Sequence, residues 1–269
     1  MLFKISPSKL SFLWDECPRC FWLDATGKRK RPEMPFPKMF SQIDKLQRDH
    51  FQGKQFPGIG TIDTAKVHAQ SEALVLHDAA GAEHCLMISG YIDYRVLHFV
   101  GGMIDIGDFK TSKPSDESRE KYWRQLGAYA WCFEHPLKGD IQRVNALRIT
   151  YGDPQAYTCT DGLDEFSYSG PLTHVGICWN PDEYHKFLLQ VGALCMGAEP
   201  APAKGCWLCD LEDQMFTKAR LNLRLQIDED YKEWRKAAPE AYQAMIDKRF
   251  GDIPVSLADQ IDRGLLNDN

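Results

Sequence analysis

No uninterrupted apolar run in this chain approaches the roughly 20 residues needed to cross a bilayer, and the opening MLFKISPSKL lacks a basic segment leading into an apolar signal core. A soluble cytoplasmic protein with no membrane partner is therefore expected. Positive charge is not in excess either: 32 Lys and Arg stand against 38 Asp and Glu, a formal charge of −6. That balance argues against a protein that coats nucleic acid by bulk electrostatics, because phosphate binding draws on cations facing the ligand. It leaves room for a local basic groove. The densest cationic run, Lys28-Arg29-Lys30-Arg31, is as readily a solvated loop as a phosphate contact. No GxxxxGK[ST] segment is present, so the chain carries no helicase motor. Internal repeats and low-complexity segments are also missing. Nine cysteines, an odd number without a secretion signal, argue against a disulfide framework and leave metal binding, catalysis or packing as the uses of reduced thiols.

What the chain does have is length and patterning. Its 269 residues, 43% hydrophobic, can bury a substantial core. Leu10, Leu13, Trp14, Phe21 and Trp22 predict short helical turns broken at Pro18, and Ser8 is a plausible N-cap. After the Pro-rich 31–37 stretch, Phe40, Ile43, Leu46 and Phe51 make one helical stripe. From Glu83 to Lys110 the residues become β-branched, aromatic and alternating, interrupted by His98-Phe99-Val100-Gly101-Gly102 as in a hairpin. Helical spacing returns over Asp116 to Glu134. RVNALRITYG and THVGICWN follow as strands on either side of a polar 160–169 stretch, and PDEYHKFLLQVGALCMG follows as a helix with Pro181 in its first turn. The order predicts a mixed α/β fold, with a domain over 1–215 and a charged helical extension over 216–269.

The chemistry concentrates in SGYIDYRV and MIDIGDFKTS. If these pair antiparallel about a turn between Val100 and Gly101, opposed residues have numbers summing to 201, and Asp93 faces Asp108. Lys110, two residues on, shares that face, while Phe109 points the other way. Adjacent carboxylates repel and raise each other's pKa unless a cation lies between them, and hard oxygen ligands suit Mg²⁺ or Mn²⁺. Such a site fits metal-assisted hydrolysis of a phosphodiester, with the lysine orienting water or offsetting charge. The plain alternative is a solvent-exposed cross-strand ion pair contributing ~0.2–1 kcal/mol.

The order Gly90-x-x-Asp93, Asp108-Phe109-Lys110-Thr111, Gln125-Leu126-x-x-Tyr129 resembles the RecB-like branch of the PD-(D/E)XK nucleases, which includes the AddB nuclease domain and CRISPR-associated exonucleases. Ser6-Pro-Ser8-Lys9-Leu10 with Cys17-Pro18-Arg19 resembles the N-terminal signature of the same branch. The resemblance implies a restriction-endonuclease-like core with a mixed central sheet flanked by helices. It implies Asp93, Asp108 and the Phe109 carbonyl as metal ligands, Lys110 as catalytic, and Gln125 and Tyr129 lining the site. The family places a His on the early helix as a further ligand; here the equivalent stretch offers Asp44, with Asp49 and His50 as other candidates.

Cys17-Pro-Arg-Cys20 and Cys206-Trp-Leu-Cys209 are two CxxC pairs, spaced so that both thiolates of each reach one metal, stapling the first helices to the end of the domain. The relatives hold a four-iron, four-sulfur cluster by one N-terminal and three C-terminal cysteines, so a 4Fe-4S centre is implied here in a two-plus-two arrangement; structural Zn²⁺ suits four thiolates as well. Cys85, Cys132, Cys159, Cys178 and Cys195 read as packing residues. The expected function is a Mg- or Mn-dependent deoxyribonuclease, exonuclease in preference to endonuclease. It would act on single-stranded DNA or DNA ends in repair, recombination or CRISPR-type processing, with a separate helicase or integrase as partner. The alternative is an inactive, metal-stapled nucleic-acid-binding or scaffold protein of the same fold.

Overall fold

A computed structural model describes residues 1–32, 37–159, 165–211, 213, 215, 226 and 232–250. Residues Met1–Ala203 form one compact unit and Lys204–Asn269 a second. In the first, β1 (Leu2–Ile5) leads into three short helices, α1 (Pro7–Ser11), α2 (Leu13–Glu16) and α3 (Pro18–Ala25). Pro18 opens α3, where its missing N–H costs nothing, and Cys17 is the N-cap. Helix α4 spans Lys38–Phe51. Its apolar stripe is thinly covered: Phe51 stacks on Phe109, but none of its residues is fully buried and Leu46 is 66% exposed.

Four short strands follow that the alternation pattern did not announce: β2 (Gln55–Phe56), β3 (Gly60–Asp63), β4 (Val67–Gln70) and β5 (Leu74–His77). They precede β6 (Glu83–Ile92), β7 (Tyr94–His98) and β8 (Ile104–Lys110). The first arm of the expected hairpin is thus cut at Asp93. Strand β6 belongs to one sheet, parallel to β1 and antiparallel to β4 and β5, while β7 passes into another.

That second sheet has six strands in the order β12-β9-β8-β7-β3-β2, with β9 (Val144–Gly152) parallel to β8 and β12 (Leu172–Cys178) antiparallel to β9. Between β8 and β9 runs α5 (Asp116–Glu134), capped by Ser115, whose side chain accepts from the Ser118 N–H. A strand, helix and parallel strand in succession make a βαβ crossover, which places the loop after β8 at the carboxyl edge of the sheet, where ligand sites in such folds collect. An exposed hairpin, β10 (Ala156–Cys159) and β11 (Phe166–Ser169), and helix α6 (Pro181–Met196) complete this unit; positions 160–164 of the expected polar stretch lie outside the described residues.

Helices α1 and α5 pack together, and buried Arg124 ties them by donating from Nε to the Leu10 carbonyl at 3.1 Å while its other nitrogens pair with Asp15 and Glu120. Tyr184 of α6 is fully buried and donates to the Arg124 carbonyl at 2.9 Å. In the second unit residues 207–211 are helical, and α7 (Lys232–Ala237) and α8 (Pro239–Phe250) follow, with Tyr242 and Ile246 buried in a small cluster. Much of the expected 216–269 extension lies outside the described residues. No described helix is long and apolar enough to cross a membrane.

Candidate functional site

The β7–β8 pairs are Tyr94↔Gly107, Arg95↔Ile106, Val96↔Asp105 and Leu97↔Ile104, each summing to 201. Asp93 stands one residue before this ladder. Its Oδ2 accepts the Phe109 N–H at 3.2 Å, and its carboxyl hydrogen-bonds that of Asp108. Asp108 also pairs with the Lys110 ammonium, with side chains only 5% and 20% exposed. The pair is therefore recessed, unlike an ion pair on a wet sheet face.

A hydrogen bond between two carboxyl groups requires one of them to keep a proton. Burial, then the Asp108 charge and that hydrogen bond, push Asp93 up to about 8, against the opposing pull of Lys110 and the Phe109 N–H. Burial depresses the Lys110 ammonium, but Asp108 outweighs it and the net shift is upward. The Tyr122 ring lies 4.9 Å from Lys110 Nζ, a neighbour that motif reading did not single out.

Asp44 of α4 lies close enough to this group to feel its charges. Burial and the Asp93 charge raise its pKa, while Arg48, its ion-pair partner, and Lys110 lower it. The two other early-helix candidates are engaged by lysines of their own helix and its end, Asp49 by Lys45 and His50 by Lys54.

From α5, Tyr129 feels the charges of Asp108 and Asp93, and Gln125 hydrogen-bonds it; burial is the main reason its phenol is held well above the usual range. Gln125 is buried and lies within 3.5 Å of the Ser11 hydroxyl. Gly90 is required by close approach: a Cβ there would stand 2.7 Å from Pro7 Cδ and 3.3 Å from Tyr129 Cε1. The Phe109 side chain points away, into a cluster with Phe56, Ile62, Tyr94 and Val96. Gly107 admits the Tyr94 ring, whose carbon would lie 2.0 Å from an added Cβ.

The Sγ atoms of Cys17, Cys20, Cys206 and Cys209 all lie within 4.8 Å of one another, and all four residues are buried. Cys17 Sγ accepts the N–H groups of Cys20 at 3.5 Å and Ala203 at 3.4 Å, and Cys20 Sγ accepts from Arg29 at 3.4 Å. Donors aimed at sulfur stabilise thiolates, which fits a metal centre better than plain thiol packing. The packing reading holds for Cys132 and Cys195, whose thiols burial lifts to about 12. It fails for Cys159 and Cys178, which sit exposed on β10 and β12, where outward positions alternate with inward ones.

The sequence also gave no notice of a second polar constellation. Asp105, wholly buried, accepts from His98 Nε2 at 2.8 Å, from Asn145 Nδ2 at 3.0 Å and from Arg148 Nε. Strand alternation alone would have placed it on the Phe109 face, but not with three donors. No family model matches the chain, and no curated protein matches it.

Proposed function

We propose that this chain is a divalent-metal-dependent nuclease of the PD-(D/E)XK type, built on a restriction-endonuclease-like core and acting on single-stranded DNA or DNA ends. The observation that carries the reading is the recessed carboxyl pair Asp93 and Asp108, with Lys110 against Asp108 and Asp44 near enough to feel the charge of Asp93. This donor set fits a hard cation, because carboxylates forced together without one must stay partly protonated. Asp93, Asp108 and Asp44 would hold Mg²⁺ or Mn²⁺, with the Phe109 carbonyl as a further ligand on the family likeness. When bound there, the ion supplies Lewis acidity toward a phosphodiester oxygen and lowers the pKa of water. Lys110 keeps its proton and offsets the charge that develops on phosphorus oxygens. Tyr129 and Gln125 brace the far wall against Gly90 and Ser11.

The test is digestion of single-stranded DNA with Mg²⁺ and with Mn²⁺ by the parent, Asp108→Ala and Lys110→Ala. Parent cleavage lost by both variants supports the enzyme; equal inertness of all three under both metals replaces it with the scaffold.

For the cysteines we propose a bound metal, and the spacing favours one ion. Two residues between the thiolates of each pair let both reach one ion at about 2.3 Å, the arrangement of tetrahedral structural zinc sites. Anaerobic purification with metal analysis and an ultraviolet-visible spectrum decides it: stoichiometric zinc and no colour support this assignment, and broad iron-sulfur absorbance near roughly 400 nm overturns it.

A further inference from the structure

Strand β6 buries Leu86, Ile88 and Ile92 on one side, so Met87, Ser89 and Tyr91 face the other. On that outer face Tyr91 is 55% exposed. The β4–β6 register pairs Tyr91 with His68, and all four pairs sum to 159, so one further step sets Lys66 across from Asp93. Lys66 Nζ lies 4.7 Å from the Tyr91 ring centroid, and the His68 ring lies 4.8 Å from it. His68 Nε2 is also 2.9 Å from Ser89 Oγ, which holds the imidazole beside the tyrosine. On the opposite edge, β1 pairs Lys4 with Met87 and so adds another exposed ammonium to the same face.

From Cys85 to Tyr91 and their partners, the residues on this face are Cys, Met, Ser and Tyr with Leu2, Lys4, His68, Gln70 and Val75, so the carboxylate of Glu83, at the far end of the strand, lies outside a stretch whose charges are cationic. That is a notable local reversal in a chain of formal charge −6. An exposed ring flanked by cations is what an unpaired base and its phosphates require: the ring stacks on any base, and the ammonium groups replace counterions. A duplex offers no free base face, which selects a single strand. Tyr91 precedes Asp93 by two residues, about 7 Å along a strand, so a base seated there brings a neighbouring phosphate toward the carboxylates.

We infer that the outer face of β4 and β6 is a single-stranded DNA platform, with Tyr91 stacking on a base and Lys66 and His68 holding the adjoining backbone. It rests on the nuclease reading for its purpose but not for its test.

The experiment measures anisotropy of a labelled oligo(dT) on the full chain carrying Asp108→Ala, so that nothing is cleaved, at two salt concentrations. Adding Tyr91→Ala is expected to weaken binding about tenfold or more, and Tyr91→Phe to restore most of it. Lys66→Glu is expected to weaken it severalfold and to flatten the salt dependence by about one ion. Tyr157→Ala, on the exposed β10–β11 hairpin, serves as the control and is expected to leave affinity unchanged. Absence of binding by the Asp108→Ala chain, equal affinity in Tyr91→Ala and Lys66→Glu, or a loss carried by Tyr157→Ala instead, each overturns the platform. Digestion of the same oligonucleotide with Mn²⁺ by protein retaining Asp108 separates the two readings. Binding lost in Tyr91→Ala without parental cleavage supports the platform and sinks the nuclease; cleavage with binding untouched by Tyr91→Ala does the reverse.

Discussion

Asp105 and Asp108 lie three residues apart on β8 and face opposite sides of the sheet, and their surroundings differ in kind. Asp105 is saturated by His98, Asn145 and Arg148 in a site without solvent. Asp108 faces a second carboxyl, Asp93, with Lys110 as its ion-pair partner. A buried charge whose donors are all supplied by the protein holds strands in place. A buried charge set against a like charge makes the fold less stable and is kept where something outside the chain completes it. The comparison separates a carboxylate of the architecture from one of the site.

The largest expected effect tests the first member. Asp105→Ala leaves the partly buried Arg148 and His98 without their acceptor and is expected to cost about 3–5 kcal/mol of stability, read by urea denaturation. A loss below about 1 kcal/mol would erase the distinction. Asp108→Asn reverses the pattern: cleavage of single-stranded DNA should fall by about 10²–10³-fold. Its metal-free unfolding midpoint should equal or exceed the parent's, because the like charge beside Asp93 is gone.

Asp93 sharpens this through pH. Its pKa is raised in the folded state, to about 8, so between the ordinary carboxylate range and that value the native protein holds a proton the unfolded chain releases. Stability of the metal-free protein is therefore full at the acid end of that window and falls as pH rises through it. Asp63 shows the opposite sign: despite burial, hydrogen bonds from the Ala65 N–H and Arg95 hold its carboxyl low, and its contribution is lost as pH falls. Melting curves across this range, with chelator and with excess Mn²⁺, should show a downward slope that Mn²⁺ flattens. An unchanged slope would mean that no cation enters between Asp93 and Asp108.

The smallest effect concerns the Asp105 side of the sheet. Thr150 Oγ1 lies 2.8 Å from the buried Tyr94 hydroxyl and 2.9 Å from His174 Nδ1. Thr150→Val keeps the shape and strips both bonds, at an expected cost of about 1–2 kcal/mol by denaturation. Cleavage per folded molecule should not change.

Local rules reached a good part of this. The β7–β8 register followed from a glycine turn and alternation, because antiparallel pairing about a known turn leaves no freedom in who faces whom. The helix over 116–134 followed from its spacing, and the structure adds the Ser115 cap. Strands β2 to β5 were missed because they are two to four residues long, too short for a period to register. The helical stripe of α4 was read correctly as a helix, while how little of it is covered lay beyond reach, since periodicity reports amphipathicity and not what packs on it. The single hairpin arm expected from Glu83 is two strands, for the chain changes sheets at Asp93.

The sequence by itself determined the longer helices and strands, the partner of each residue across the β7–β8 turn, and the two cysteine spacings, because these depend on neighbours within a few residues or across one tight turn. Only the tertiary structure decided that Asp44 of α4 comes within range of the Asp93 charge, that Gly90 gives way to Pro7 and Tyr129, and that Asp105 gathers three donors while Asp108 meets a like charge. Those facts arise from segments up to tens of residues apart converging at one strand, and convergence is set by how whole elements bury their faces together, which no local pattern encodes.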